Sequence, residues 1–287
     1  MIYYNIVVVN VNNSRFDKKS YVPNIKNFPD GTLCMSAPGY IGDADYNDSS
    51  TVEIVWNYEN ETELIQLIYL TKNLKERCKG YKFLLNMPYI PNARMDRVHK
   101  DEEVFTLKYF CQVINSLGFD EIAVIDAHSS VSPALLNNVY NKSPEEYINE
   151  MLKECNFNPD TDYMFFPDEG SCKRYSDLVK CKNIGFGIKK RDWDTGKIEG
   201  LDVFGSSPEN KRVFIIDDIC AYGGTVYYSA LKLKELGCFD INVFFTHCEN
   251  SIAEGKLFSC GLITNIYTTN SICTLEENDI LHIINIG

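Results

Sequence analysis

The chain has 287 residues, long enough for two domains of about 140 residues each. Its 45% hydrophobic and 24% charged content is that of an ordinary soluble globular protein. With 28 Lys and Arg against 40 Asp and Glu, the net charge of −12 excludes a broad polyanionic partner such as DNA or RNA, yet leaves room for a local basic nucleotide site.

Ile6–Val11 reads as the first strand, and its apolar run is too short for a signal peptide core or a membrane span. Asn27-Phe-Pro-Asp-Gly31 marks a turn. Val52–Trp56 is a second strand, followed by a helical stripe of Leu64, Ile65, Ile68 and Leu74. Tyr81–Met87 returns to strand. A helix over Val104–Leu117 turns Leu107, Phe110, Val113, Ile114 and Leu117 inward, and Ile122–Asp126 is the next strand. This alternation of strands and helices predicts an α/β protein with mainly parallel sheets flanked by helices. Ser143-Pro-Glu-Glu146 carries an N-cap signature, and its helix to about Cys155 sits near a domain junction.

Leu117-Gly-Phe-Asp-Glu-Ile-Ala-Val-Ile-Asp-Ala-His128 aligns without a gap on Leu236-Gly-Cys-Phe-Asp-Ile-Asn-Val-Phe-Phe-Thr-His247. Each copy follows an amphipathic helix, which points to two similar halves. The expected boundaries are 1–140 and 141–276, with about 277–287 packing back on the first domain. The eleven cysteines form no Cys-x-x-Cys pair and no His/Cys cluster, so they read as free buried thiols of a reducing cytosol.

The segment richest in chemistry is Arg212–Thr225. A buried strand, Val213 to the start of Asp217, ends in the acids Asp217 and Asp218. Ala221-Tyr-Gly-Gly-Thr225 then leads into a helix with Val226, Ala230, Leu233 and Leu236 on one face and Gly237 as its stop. Loop amides and a helix N-terminus aimed at one spot bind anions. Beside them, two carboxylates suit the hydroxyls of a phosphorylated sugar. Met87-Pro-Tyr-Ile-Pro-Asn-Ala-Arg-Met-Asp-Arg97 places Arg94 and Arg97 past a strand end, where arginine forks match phosphate, although a solvated loop would look the same. His128 follows another strand end, as a ligand or as a satisfied structural histidine. Phe166-Pro-Asp-Glu-Gly170 puts Asp168 next to a glycine, with Arg174 behind it. Ile188-Lys-Lys-Arg-Asp-Trp-Asp-Thr-Gly-Lys197 sends three cations into a polar stretch suited to a mobile loop, or to a solvated face.

In this order the motifs resemble those of the phosphoribosyl pyrophosphate synthetases (ribose-phosphate diphosphokinases) over nearly the whole chain, in a compact branch of the type carried by large phages. Phe28, Asp30 and Gly31 match the family's Phe-x-Asp-Gly element. Ala93, Arg94, Asp96 and Arg97 match Ala-Arg-Gln-Asp-Arg, and Asp126 and His128 match Asp-x-His. Pro167, Asp168 and Gly170 match Pro-Asp-x-Gly, Lys189 and Arg191 the Lys-x-Arg loop, and Asp217 through Thr225 the ribose-phosphate loop. Departures are Thr32 for Glu, Met95 for Gln, and Ala221-Tyr222 for Asp-Thr.

The resemblance implies two tandem phosphoribosyltransferase-like domains. It implies transfer of the β,γ-diphosphoryl group of ATP to the 1-hydroxyl of ribose 5-phosphate, with Mg2+ held by His128 and Asp168. Phe28, Asp30, Arg94, Asp96 and Arg97 would bind ATP. Lys189, Arg191 and His128 would be catalytic. Asp217, Asp218, Ala221, Tyr222, Gly223, Gly224 and Thr225 would bind ribose 5-phosphate. A cytoplasmic homo-oligomer, dimer or hexamer, with no nucleic-acid or membrane partner, is the expected setting. Two other readings stay open: a salvage phosphoribosyltransferase, and a non-catalytic regulatory homologue.

Overall fold

A computed structural model describes residues 1–10, 15–39, 50–191 and 198–286, the side chains of 9, 10, 15–17, 189–191 and 198–200 excepted. The chain divides into two compact units, Met1–Lys142 and Ser143–Gly287.

The first unit is built on a six-stranded sheet. Its strands are β1 (Ile2–Asn10), β2 (Arg15–Tyr21), β5 (Thr51–Trp56), β6 (Lys82–Asn86), β7 (Glu121–Ile125) and β8 (Val139–Lys142), in the order β2-β1-β5-β6-β7-β8. The β5 to β8 strands run parallel, whereas β1 is antiparallel to both neighbours. A separate hairpin of β3 (Asn24–Asn27) and β4 (Leu33–Ser36) was hidden in the sequence, because its strands are short and largely exposed.

Helices α1 (Thr62–Arg77) and α2 (Thr106–Ser116) cover the sheet. The α1 helix buries Leu67, Leu70, Thr71 and Leu74, so the expected stripe is rotated and Ile65 faces solvent. On α2, Leu107, Phe110, Cys111 and Ile114 are buried. At the centre of this core Trp56 is fully buried, its indole N–H donating to Glu63 at 2.9 Å.

The second unit has seven strands: β9 (Tyr163–Phe166), β10 (Asn183–Arg191), β11 (Ile198–Gly205), β12 (Arg212–Cys220), β13 (Asp240–Cys248), β14 (Asn265–Thr269) and β15 (Leu281–Ile284). Their order is β11-β10-β9-β12-β13-β14-β15, parallel throughout except for the β10–β11 hairpin. The uninterrupted apolar runs Tyr163–Phe166 and Val213–Ile216 are fully buried, as parallel strands covered on both faces require.

The C-terminal strand belongs to this sheet: Leu281–Ile284 pairs with β14 and buries Leu281 in the second core. Helix α4 (Glu145–Glu154) starts one residue later than the cap signature put it: Pro144 is the N-cap and no side chain caps the helix, while the Ser143 hydroxyl accepts the Glu145 N–H at 3.2 Å. The remaining helices are α3 (Val131–Leu135), α5 (Glu169–Tyr175) and α6 (Gly224–Glu235). Among the described residues no helix is long and apolar enough to cross a membrane.

All eleven cysteines are free. Burial pushes the Cys78 and Cys111 thiols up to about 11, so they are inert at neutral pH.

Candidate functional site

The β12 strand runs further than its apolar residues suggest. Asp217 and Asp218 lie inside it, and pairing with β13 continues to Cys220 opposite Cys248. Both acids are buried, at 8% and 4% exposure. Asp217 Oδ1 accepts the Asp218 N–H at 3.1 Å. The carboxylate of Asp218 forms an ion pair with Arg174 at 3.1 Å.

Residues 221–223 then turn the chain into α6. Gly223 is left-handed, with φ +73°, and a Cβ there would come within 2.4 Å of Leu257 Cδ1. Only glycine fits both demands. A Cβ on Gly224, by contrast, would meet nothing within 4 Å. No side chain caps α6, so its first-turn amides face the open side of this loop without a capping acceptor. A backstop shapes the loop from behind. The Glu249 N–H donates to the Cys220 carbonyl at 2.8 Å, and the Tyr222 carbonyl lies so close to Gly255 that a Cβ there would be 2.1 Å away.

Asp168 stands at the end of β9 as the N-cap of α5. Its Oδ1 accepts the Ser171 N–H at 2.9 Å, and the Ser171 hydroxyl completes a capping box. Eight residues after β9, the same helix carries Arg174, whose guanidinium lies over the Tyr175 ring. Thus α5 joins the Pro-Asp-x-Gly element to the acid pair on β12.

The cations 189–191 lie on β10 rather than beyond it. Lys189 pairs with Leu201 and Lys190 with Gly200, and the register shifts between Lys190 and Arg191. The Lys189 and Arg191 side chains and residues 192–197 lie outside the described residues.

In the first unit two of the sequence motifs come together. Asp96 is buried and held by Arg97, whose Nε and Nη2 donate to its two oxygens at 2.9 and 3.3 Å. That fork, with a hydrogen bond from Ser129 and the positive field of Arg97 and His128, holds the Asp96 carboxyl below the usual range against the cost of burial. The 94–97 loop is therefore clasped to the 126–129 loop. Asp126 is left-handed, with φ +45°, and breaks β7 so that His128 emerges half-exposed.

Asp96 thus orients Arg97, each of its two oxygens accepting one N–H of the guanidinium. Arg94 and Arg97 are exposed. Phe28 is 53% exposed at the tip of the β3–β4 hairpin. Beside it Asp30 accepts the Thr32 N–H at 3.0 Å and the Thr32 hydroxyl at 2.7 Å, which lowers its pKa. A cavity of about 460 Å³ between β4 and α1, lined by Leu33, Met35, Tyr69 and Arg77, belongs to neither strand-end loop.

Ser129, Gly255 and Leu257 had no signal in the sequence, because their roles arise from contacts between segments far apart in the chain.

In the second unit, then, a parallel sheet carries an acid pair, a Gly-Gly turn and an uncapped helix at one strand end. No family model matches the chain. The ribose-phosphate pyrophosphokinase of Thermococcus kodakarensis is 28% identical over 260 residues, covering 87% of this chain and 85% of that protein. The ribose-phosphate pyrophosphokinase of Methanobrevibacter smithii is 27% identical over 265 residues, covering 86% and 84%. The crystal structure of phosphoribosylpyrophosphate synthetase from Mycobacterium smegmatis superposes with a TM-score of 0.75 at 17% identity, over 93% of this chain and 86% of that one. The fold is therefore that of a phosphoribosylpyrophosphate synthetase, and the family resemblance read from the motifs is borne out.

Proposed function

We propose that the chain is a ribose-phosphate diphosphokinase, converting ATP and ribose 5-phosphate to phosphoribosyl pyrophosphate and AMP. The observation that carries this reading is that each unit bears its own strand-end cluster. A salvage transferase needs the acid pair and Gly-Gly loop of the second unit, but has no use for the Arg94, Arg97 and His128 cluster of the first. The curated relatives, matched over most of their length, carry the same activity in their names.

In the first unit, Arg94 and Arg97 bind triphosphate oxygens, Asp96 keeps the Arg97 fork in place, and Phe28 stacks on the adenine with Asp30 at its edge. In the second, Asp217 and Asp218 hold the ribose 2- and 3-hydroxyls. The amides of residues 221–225, with the Thr225 hydroxyl, hold the 5-phosphate.

The sugar 1-hydroxyl attacks the β-phosphorus. The bond from that phosphorus to the oxygen bridging to the α-phosphate breaks, AMP leaves, and the hydroxyl proton passes to solvent. Lys189, Arg191 and His128 neutralise the charge that grows on the phosphoryl oxygens. The family resemblance assigns magnesium to His128 and Asp168; a carboxylate such as that of Asp168 suits this hard cation, which would supply further charge neutralisation. Soluble phosphorylated substrates fit a cytoplasmic homo-oligomer of the kind the family forms.

Phosphorus NMR of the protein with ATP, ribose 5-phosphate and magnesium tests the proposal. The expected result is AMP together with a new sugar diphosphate, only when the sugar is present. ATP binding without turnover would instead identify a regulatory homologue.

A further inference from the structure

Arg174 is a charged residue beside the strand-end motifs to which the mechanism above gives no task. It lies in the last turn of α5, its side chain about three-quarters buried, at 27% exposure, and its Nη1 is 3.1 Å from Asp218 Oδ2. Asp218 is buried next to a second buried acid in the same strand. Two adjacent carboxylates at such a site repel each other, and burial penalises both. A single fixed guanidinium offsets that cost and also sets where the Asp218 oxygens point.

We infer that Arg174 is a positioning residue for the sugar-binding acids. It fixes Asp218 through the ion pair and, because Asp168 caps the same helix, keeps the acid at the end of β9 in step with the pair on β12. This inference rests on the ribose-phosphate reading of the β12 loop.

The substitutions Arg174→Ala and Arg174→Lys test it, with sugar binding measured by calorimetry and KM measured separately for each substrate. In Arg174→Ala, ribose 5-phosphate binding should weaken by about ten- to a hundredfold, while the KM for ATP stays within about twofold. Methylguanidinium in the buffer should restore part of that loss. Arg174→Lys, a point charge without the fork, should bind the sugar phosphate about fivefold more weakly than wild type.

Unchanged sugar affinity in the alanine variant, or an equal rise in the KM for both substrates, would overturn the inference. Should the alanine variant fail to fold, a lysine variant with wild-type sugar affinity overturns it just as well. A wild-type protein that binds no ribose 5-phosphate refutes the underlying reading. One that binds the sugar without releasing AMP refutes the catalytic proposal and leaves Arg174 testable by calorimetry.

Discussion

The two units use one supersecondary pattern in different ways. Helix α2 and helix α6 are each followed by a left-handed glycine, Gly118 at φ +64° and Gly237 at φ +90°, and then by strands beginning at Glu121 and Asp240. The connection into the helix differs. In the second unit a three-residue loop, 221–223, leads from β12 to α6, which leaves room only for backbone amides at the sheet edge. In the first, residues 87–105 separate β6 from α2 and carry Arg94, Asp96 and Arg97. The short loop suits a small phosphate, and the long one a reach of side chains along a polyphosphate.

The histidines that align in the two halves diverge as well. Asp126 ends β7 early and exposes His128, whereas β13 runs on and buries His247 at 2% exposure, its Nδ1 2.8 Å from Ser271 Oγ. The two halves share the helix–glycine–strand pattern, and the strand ends carry the differences.

The sharpest way to break this comparison is at Lys189. Its replacement by Ala should lower kcat by about 10²–10⁴ and leave ATP affinity intact, as expected on losing a transition-state donor; single-turnover kinetics would read it. Next is Gly224→Ala. The added methyl meets no protein atom and favours helix by about 0.5–1 kcal/mol. Thermal stability should hold or rise, while the KM for ribose 5-phosphate rises about tenfold or more, because the methyl occupies the space of the phosphate. Preserved sugar affinity would remove the amide cradle from the second unit.

Asp168→Asn and Asp168→Ala divide the cap from the charge. Asparagine caps a helix as well as aspartate, so only the alanine variant should lose about 1 kcal/mol in denaturant unfolding. Both should lose magnesium-dependent turnover.

In the first unit, Asp96 gives a milder effect with a defined sign. Its folded pKa lies below the unfolded value, so its contribution is present at neutral pH and declines as pH falls below about 4. Asp96→Asn should flatten that acid limb of the stability curve; an unchanged limb would show that the clasp to Arg97 and Ser129 carries no weight.

Much of this was legible because strand-end chemistry is written in short contiguous motifs. The strand, the Gly-Gly turn and the helix of Val213 to Leu236 were all visible in the sequence, although which glycine is left-handed was not. The alternation of strand and helix gave the α/β class. What stayed hidden depended on distance in sequence. The β3 and β4 strands have no apolar alternation strong enough to reveal a hairpin. The continuation of β12 through two carboxylates contradicts local propensity and is enforced by pairing with β13. The Arg97–Asp96–Ser129 clasp joins loops separated by an entire helix and strand, so no spacing within one motif encodes it. The pairing of the C-terminal strand with β14 was hidden for the same reason.

The burial of Trp56 has an optical consequence. The chain has two tryptophans, and the other, Trp193, directly follows the cation run and its Asp192. Trp56, sealed in the first core against Glu63, gives a constant blue-shifted emission whatever occupies the strand ends. Any change of tryptophan fluorescence on adding nucleotide or sugar phosphate is then a signal from Trp193. Because Trp193 follows the 189–191 cations in the sequence, such a change would report on that segment with no label to introduce.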